Sequence, residues 1–423
     1  MGGMPTARLP GFIAIDHTFT VPLDHRDPDG EKIEVYGREV RASDGRSRPW
    51  LVFLQGGPGL KSPRPCDLKS WLGPAVVHFT VLLLDQRGTG RSSPVNRQTL
   101  ARFGSPEAQA AYLAHFRADA IVADCEAIRR ELLGPDQSWS ALGQSFGGFC
   151  ATTYLSYAPE RLDTVLITGG LPPLDGGPDA VYRHTYPNVL RRSTAYYERY
   201  PDDEPALAAI RDHLAGSDVR LLNGDRLPVE RLQQLGHGFG MVGGYEHVHY
   251  LVEEAWAGKG ELSDTFLLGV EERTSFTTSP IYALLHEPIY TQGEAANWSA
   301  ERLRAEFPEL APDHPRVNFT GEMIFPWMFG SNASLAPLAE AAELLAAKDD
   351  WPALYDPATL ANNEVPVAAL INYDDMYVER ELSIATAARI RGAKTWITSE
   401  YEHDALHRDS ERVINGLLHL ATS

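Results

Sequence analysis

The first ninety residues read as strands and turns, with polar and apolar positions alternating in two segments ahead of two short apolar runs, Trp50-Leu-Val-Phe-Leu54 and Phe79-Thr-Val-Leu-Leu-Leu84. The alternation over Phe12–Thr18 and Ile33–Val40 predicts half-buried antiparallel strands. The two runs are rich in branched side chains, and each ends in a glycine-containing turn. They predict strands buried on both faces of a parallel sheet. From Glu107 to Leu133 the pattern becomes helical, with Ile121, Val122, Cys125, Ile128 and Leu132 along one face and Gly134-Pro135 as terminator. A strand over Trp139–Leu142, a sharp turn, a helix from Phe146 to about Tyr157 and a strand over Leu162–Thr168 complete an alternating series. Such a series is the mark of an open α/β sheet.

Beyond Pro172 the pattern changes. As far as Asp350 the chain is dense in aromatics, Gly and Pro and mostly helical, as in Glu204–Leu214 and Leu335–Ala347, without a buried strand run. Strand–helix alternation then resumes with Val365–Ile371, a helix near Glu379–Arg391, the strand Lys394–Thr398 and a closing helix from Asp409 to Leu420. The expected organisation is a sheet domain of residues 1–171 and 356–423 interrupted by a helical cap of residues 172–355, with Pro172–Pro178 as hinge. A chain of 423 residues agrees with a second lobe, since one core stops growing at roughly 250–300 residues.

Composition narrows the class. Acidic side chains outnumber Lys and Arg by 57 to 38, for a net charge of −19, which argues against nucleic acid as a partner. The three cysteines, Cys66, Cys125 and Cys150, give neither a disulfide framework nor metal-ligand spacing, and an odd, low count suits a reducing cytosol. Met1–Phe12 lacks a basic region followed by an apolar core, and no run approaches the ~18 apolar residues of a membrane span. A soluble, cytoplasmic protein without membrane contact is expected. No pattern indicates a cofactor. In Tyr245-Glu-His-Val-His249 the two histidines stand two apart, as on one face of a strand, where a helical zinc site wants four.

The chemistry concentrates after the predicted sheet strands. Gly143-Gln-Ser-Phe-Gly147 matches G-x-S-x-G between a strand and a helix, the turn that lifts a serine hydroxyl clear of a sheet. This nucleophile elbow makes Ser145 the candidate nucleophile and the fold an α/β-hydrolase fold, a mostly parallel sheet flanked by helices with a large, mainly helical cap. Backbone N–H groups of Gly57, in the loop Gln55-Gly-Gly-Pro-Gly59, and of Phe146 are the expected oxyanion hole. Asp85-Gln-Arg-Gly-Thr-Gly-Arg-Ser-Ser93 lacks a P-loop ending; Asp85 and Arg87 are expected to brace the surrounding loops. For the acid, Asp374 and Asp375 both follow the strand Val365–Ile371, with Asp375 preferred. For the base, His403 sits in the loop after Lys394–Thr398, with His407 as runner-up. The order Ser, Asp, His is the one this fold uses.

With these residues assembled, the chain resembles the proline iminopeptidase (prolyl aminopeptidase) family of serine peptidases. The resemblance rests on Gln55-Gly-Gly-Pro-Gly59, Asp85–Ser93, Gly143-Gln-Ser-Phe-Gly-Gly148 and Tyr373-Asp-Asp-Met376. Two features depart from it. Gln55 replaces the usual histidine, which leaves the backbone oxyanion donor intact, and the larger insertion lacks the tryptophan-serine-tryptophan-glutamate run of shorter members. The resemblance implies release of an N-terminal residue, typically proline, from a peptide with a free N-terminus, with cap carboxylates holding its α-ammonium. Glu287, in Leu284-Leu-His-Glu-Pro288, and Glu322, in Phe319-Thr-Gly-Glu-Met-Ile-Phe-Pro-Trp327, are the candidates. An esterase or amidase for neutral small molecules, a tripeptide-releasing aminopeptidase and a silent binding protein on this fold are the alternatives. Oligomeric state is not readable from these patterns. Glu322→Gln is expected to raise KM for amine-bearing substrates; an unchanged KM takes Glu322 off the list of candidates.

Overall fold

The protein is described by a computed structural model covering residues 6–423; the first five residues of the Met1–Phe12 segment lie outside the described residues. Nine strands form one sheet: β1 (Thr6–Leu9), β2 (Phe12–Pro22), β3 (Lys32–Ala42), β4 (Trp50–Leu54), β5 (Thr80–Leu84), β6 (Trp139–Gln144), β7 (Leu162–Thr168), β8 (Val367–Asn372) and β9 (Ala393–Thr398). Their spatial order is β1-β2-β3-β5-β4-β6-β7-β8-β9. The β1–β2, β2–β3 and β3–β5 pairs are antiparallel, and the remainder run parallel.

The apolar runs explain the layering. In β4, Leu51 and Phe53 point into one core with Trp71 and Leu417, while Val52 and Leu54 point into the other with Ile121 and Phe149. β5 divides likewise, Val81 and Leu83 against Leu82 and Leu84. Strands that bury both faces must be continuously apolar, which is why these segments show no alternation. Helices α1 (Ala118–Leu133) and α2 (Phe146–Tyr157) cover one face, and the C-terminal helix Ser410–Thr422 covers the other.

The helical stretch expected as one unit over 107–133 is two helices, Pro106–Leu113 and α1, separated at Ala114–Arg117. Arg117 is wholly buried there and donates to the carbonyls of Pro288, Thr291 and Pro352. Long-range hydrogen bonding of this one side chain overrides local helix propensity. Between β7 and β8 the chain leaves the sheet for helices and one small hairpin, Trp256–Gly258 with Glu261–Leu262. Tyr245–His249 lies in a helix, Gly244–Glu253, not on a strand face. Its middle is held by packing: His249 stacks on Tyr200 and bonds Asp203. The Pro172–Pro178 segment is tied down, since Leu171 and Pro172 carbonyls accept from Ser383 and Thr386. Among the described residues no helix is long and apolar enough to cross a membrane.

Arg87 and Asp124 form the most enclosed ion pair of the sheet's rim. Both carboxylate oxygens of Asp124 accept from Arg87, at 2.7 and 2.6 Å, and Arg87 also donates to the carbonyls of Leu23, His115 and Pro22. The pair therefore ties the end of β2, the loop after β5 and α1 together. Removing one partner of such a pair leaves a buried uncompensated charge. Arg87→Met is expected to cost about 3–5 kcal/mol of unfolding free energy, with Arg87→Met/Asp124→Leu recovering part of it. Urea titration checks this, and a loss below about 1 kcal/mol for the single variant would contradict it.

Candidate active site

Four loops at the carboxyl ends of the parallel strands converge, the position where open α/β sheets place their ligands. The centre is Ser145, between β6 and α2. Its φ and ψ are 54° and −126°, a conformation few L-residues adopt, held by Ser145 N donating to Thr168 O and Gly148 N donating to Ser145 O. A side chain at Gly143 or Gly147 would collide with the Gly147 backbone or the Leu54 carbonyl respectively. The motif's spacing is thus a packing requirement. Ser145 itself is 8% exposed.

The loop after β4 lies against it. A Cβ on Gly56 would stand 3.1 Å from Ser145 Cβ and 3.6 Å from its Oγ, so the backbone leading to Gly57 runs beside the hydroxyl. Phe146 opens α2, and its N–H, as a first-turn donor, has no intrahelical acceptor. Asp85 is buried and accepts from Ser62 N and Arg64, holding the neighbouring loop.

His403 and Asp375 are in direct contact. Nδ1 of His403 lies 2.7 Å from Asp375 Oδ2, both side chains fully enclosed. Asp375 Oδ1 accepts from the N–H groups of Tyr377 and Val378, which fixes the carboxylate. With Nδ1–H donating to Asp375, Nε2 carries the free lone pair. Burial disfavours the His403 imidazolium, but Asp375, with Glu322 and Asp404 beyond it, outweighs that and raises its pKa above the ordinary value. Asp374 is exposed and His407 is exposed on a short helix. A Cβ on Gly169, next to Thr168 O, would stand 3.1 Å from His403 Nδ1, so His403 and Ser145 flank the same strand end. Ser145 Oγ makes no hydrogen bond to a described residue; such bonds commonly form only when substrate is present.

The cap supplies the roof. Glu322 is largely surrounded by protein, and burial pushes its pKa up to about 7 against the hydrogen bond it accepts from Tyr282 and the charge of His403. Glu287 sits differently: its oxygens accept from Ser299 N at 3.0 Å and Ala300 N at 2.8 Å. Tyr182, with no hydrogen-bond partner for its hydroxyl, feels both glutamates. His237, Tyr282, His286 and Tyr377 were not among the expected site residues. His237 also lines a pocket of about 200 Å³ with Leu235, Met241, Val248 and Arg273. Tyr282 and His286 stand four apart in Pro280–Glu287, which was the available signal.

Fold and site together define an α/β-hydrolase: a family model described as the alpha/beta hydrolase fold matches residues 49–212. The chain is 48% identical over 416 residues to a proline iminopeptidase of Aeromonas sobria, covering 97% of each. It is 38% identical over 419 residues to the proline iminopeptidase aneH of Aspergillus aculeatus, covering 95% of this chain and 92% of that one. A proline iminopeptidase of Neisseria gonorrhoeae matches over 136 residues at 29% identity, 32% of this chain and 36% of the relative. The chain belongs to the proline iminopeptidase family.

Burial of Glu287 raises its pKa from 4.5 to about 7, against the two backbone N–H groups. A raised folded pKa means the native state holds this proton more tightly than the unfolded chain. The resulting stability is complete below the unfolded value and is lost as pH rises through about 7. Glu287→Gln is expected to remove about 3 kcal/mol of the fall in unfolding free energy between about pH 5 and 8. Denaturant titrations across that range test this; an unchanged slope would show that Glu287 is not the group responsible.

Proposed function

We propose that this enzyme is a serine aminopeptidase that removes the N-terminal residue, preferably proline, from peptides. The observation that carries this reading is the largely buried Glu322 carboxylate, hydrogen-bonded by Tyr282 and within electrostatic reach of His403, Tyr182, Tyr290 and Tyr377. A carboxylate in such surroundings suits an ammonium group on an apolar ring. The two relatives matched over nearly the whole chain, both proline iminopeptidases, support the same substrate class.

In the proposed mechanism, His403 Nε2 takes the Ser145 proton as Oγ attacks the carbonyl carbon of the first residue, and Asp375 holds the imidazole tautomer and stabilises the imidazolium. The N–H groups of Gly57 and Phe146 receive the developing oxyanion. Collapse breaks the C–N bond, and the leaving amine takes the proton from His403. Water, deprotonated by the same imidazole, then releases the acyl group from Ser145. Glu322 receives the substrate's amine directly. Glu287, whose oxygens already accept backbone N–H groups, acts on the site only through its electrostatic effect on Tyr182.

A proline arylamide with a free imino group is expected to be cleaved and its N-acetylated twin to be inert, with Ser145→Ala losing at least about 10³-fold of the activity. Equal cleavage of the two substrates would remove the aminopeptidase reading and leave a general amidase or esterase. Full activity in Ser145→Ala would remove the nucleophile.

A further inference from the structure

The helix Pro280–Leu285 touches both halves of the site. Its Ile281 is in van der Waals contact with two glycines of the sheet loops: a Cβ on Gly59 would fall 2.6 Å from Ile281 Cβ, and one on Gly88 would fall 2.6 Å from Ile281 Cδ1. Only glycine permits so close an approach at these positions, so the helix is seated on the loop that carries the expected oxyanion donor. The next residue, Tyr282, donates its hydroxyl to Glu322 Oε1. One turn later, His286 Nε2 lies 2.9 Å from the Glu322 backbone carbonyl. A carbonyl only accepts, so Nε2 carries the proton. His286 stacks on Tyr282 with ring centroids 5.3 Å apart and planes at 12°. Glu322 is therefore gripped at side chain and backbone by one short helix that rests on the loops after β4 and β5, beside Ser145.

We infer that Tyr282 is the positioning residue that sets Glu322 for amine recognition, and that its helix registers the amine site against the reacting carbonyl. This rests on Glu322 as the acceptor of the substrate amine. A hydroxyl that donates to a carboxylate favours the charged form, which is the form an ammonium needs. A fixed spacing between ammonium site and nucleophile discriminates an α-amine from a blocked one at the acylation step, whereas a mobile carboxylate would not.

The groups facing Glu322 make the inference testable by pH. Tyr182, Tyr282, Tyr290 and Tyr377 are all raised by burial and stay neutral. Burial holds His237 at about 4 and His286 at about 3, so both are uncharged near neutrality. Asp375 and His403 remain as the charged or titrating neighbours. Dividing kcat/KM for proline arylamide by that for a neutral p-nitrophenyl ester cancels the titration of His403, which serves both substrates. The acid limb of this ratio then reports Glu322.

Tyr282→Phe keeps the ring against His286 and deletes only the hydroxyl. Its expected effect is to move the acid limb of the ratio to higher pH and to lower the ratio at neutral pH by about tenfold, the size of one hydrogen bond to a charged group. Glu322→Gln is expected to abolish the limb. A limb that stays in place in Tyr282→Phe, while Glu322→Gln abolishes it, overturns the role of Tyr282. A limb that survives in Glu322→Gln overturns instead the reading of Glu322 on which the inference rests.

Discussion

Around Ser145 four stretches of backbone approach within van der Waals contact: the end of β4, the start of α2, the end of β7 and the serine's own turn. A backbone at φ 54° and ψ −126° costs energy, and here it is held by strand pairing on both sides of β6 and by α2 packing on the same sheet. Everything else in the site takes its position from this turn. The loop of Gly56 lies on the serine, the strand end of β7 passes beneath His403, and β8, the next strand, carries Asp375. The parallel sheet is the frame that makes one strained residue persistent, because its apolar strands are buried on both faces and cannot shift register without moving a core.

Electrostatics in the closed site follow from burial more than from the chain's net charge. Outside the site many carboxylates are paired with arginine in partly buried positions, as with Asp16 and Arg38 or Glu402 and Arg192. Inside, two glutamates are pushed up to about 7, while the buried His237 and His286 are driven toward the neutral form. His403 alone among these enclosed histidines is raised, because it alone touches a carboxylate. The cap thus removes water from groups of both signs, and the surviving charge pair is the one at bonding distance.

Much of the sheet could be read from the sequence because its signals are local. Doubly buried strands announce themselves as apolar runs, the elbow must be glycine-rich for steric reasons, and the paired Asp375 and His403 follow successive strands. The site's upper half was less legible. Tyr282 and Glu322 are forty residues apart, and nothing in either segment encodes their meeting. The break at Ala114–Arg117 and the helical state of Tyr245–His249 escaped for the same reason: partners such as Pro288 for Arg117 and Asp203 for His249 lie far along the chain or on another helix. The sequence preference for Asp375 over Asp374 agrees with the geometry, in which Asp374 faces solvent and Asp375 faces His403.

The segment Gln234–Gly240 touches the two loops that carry Asp375 and His403. Gly240 O accepts from His403 N, Gly240 N donates to the Tyr377 hydroxyl, and that hydroxyl donates to His237 O. Cap and sheet are therefore not interchangeable modules. Recombining this sheet with a cap from a distant relative would leave the histidine loop without its backbone anchor unless the same short segment travelled with it. A change of substrate preference that keeps this anchor would have to be made in side chains set on the shared scaffold.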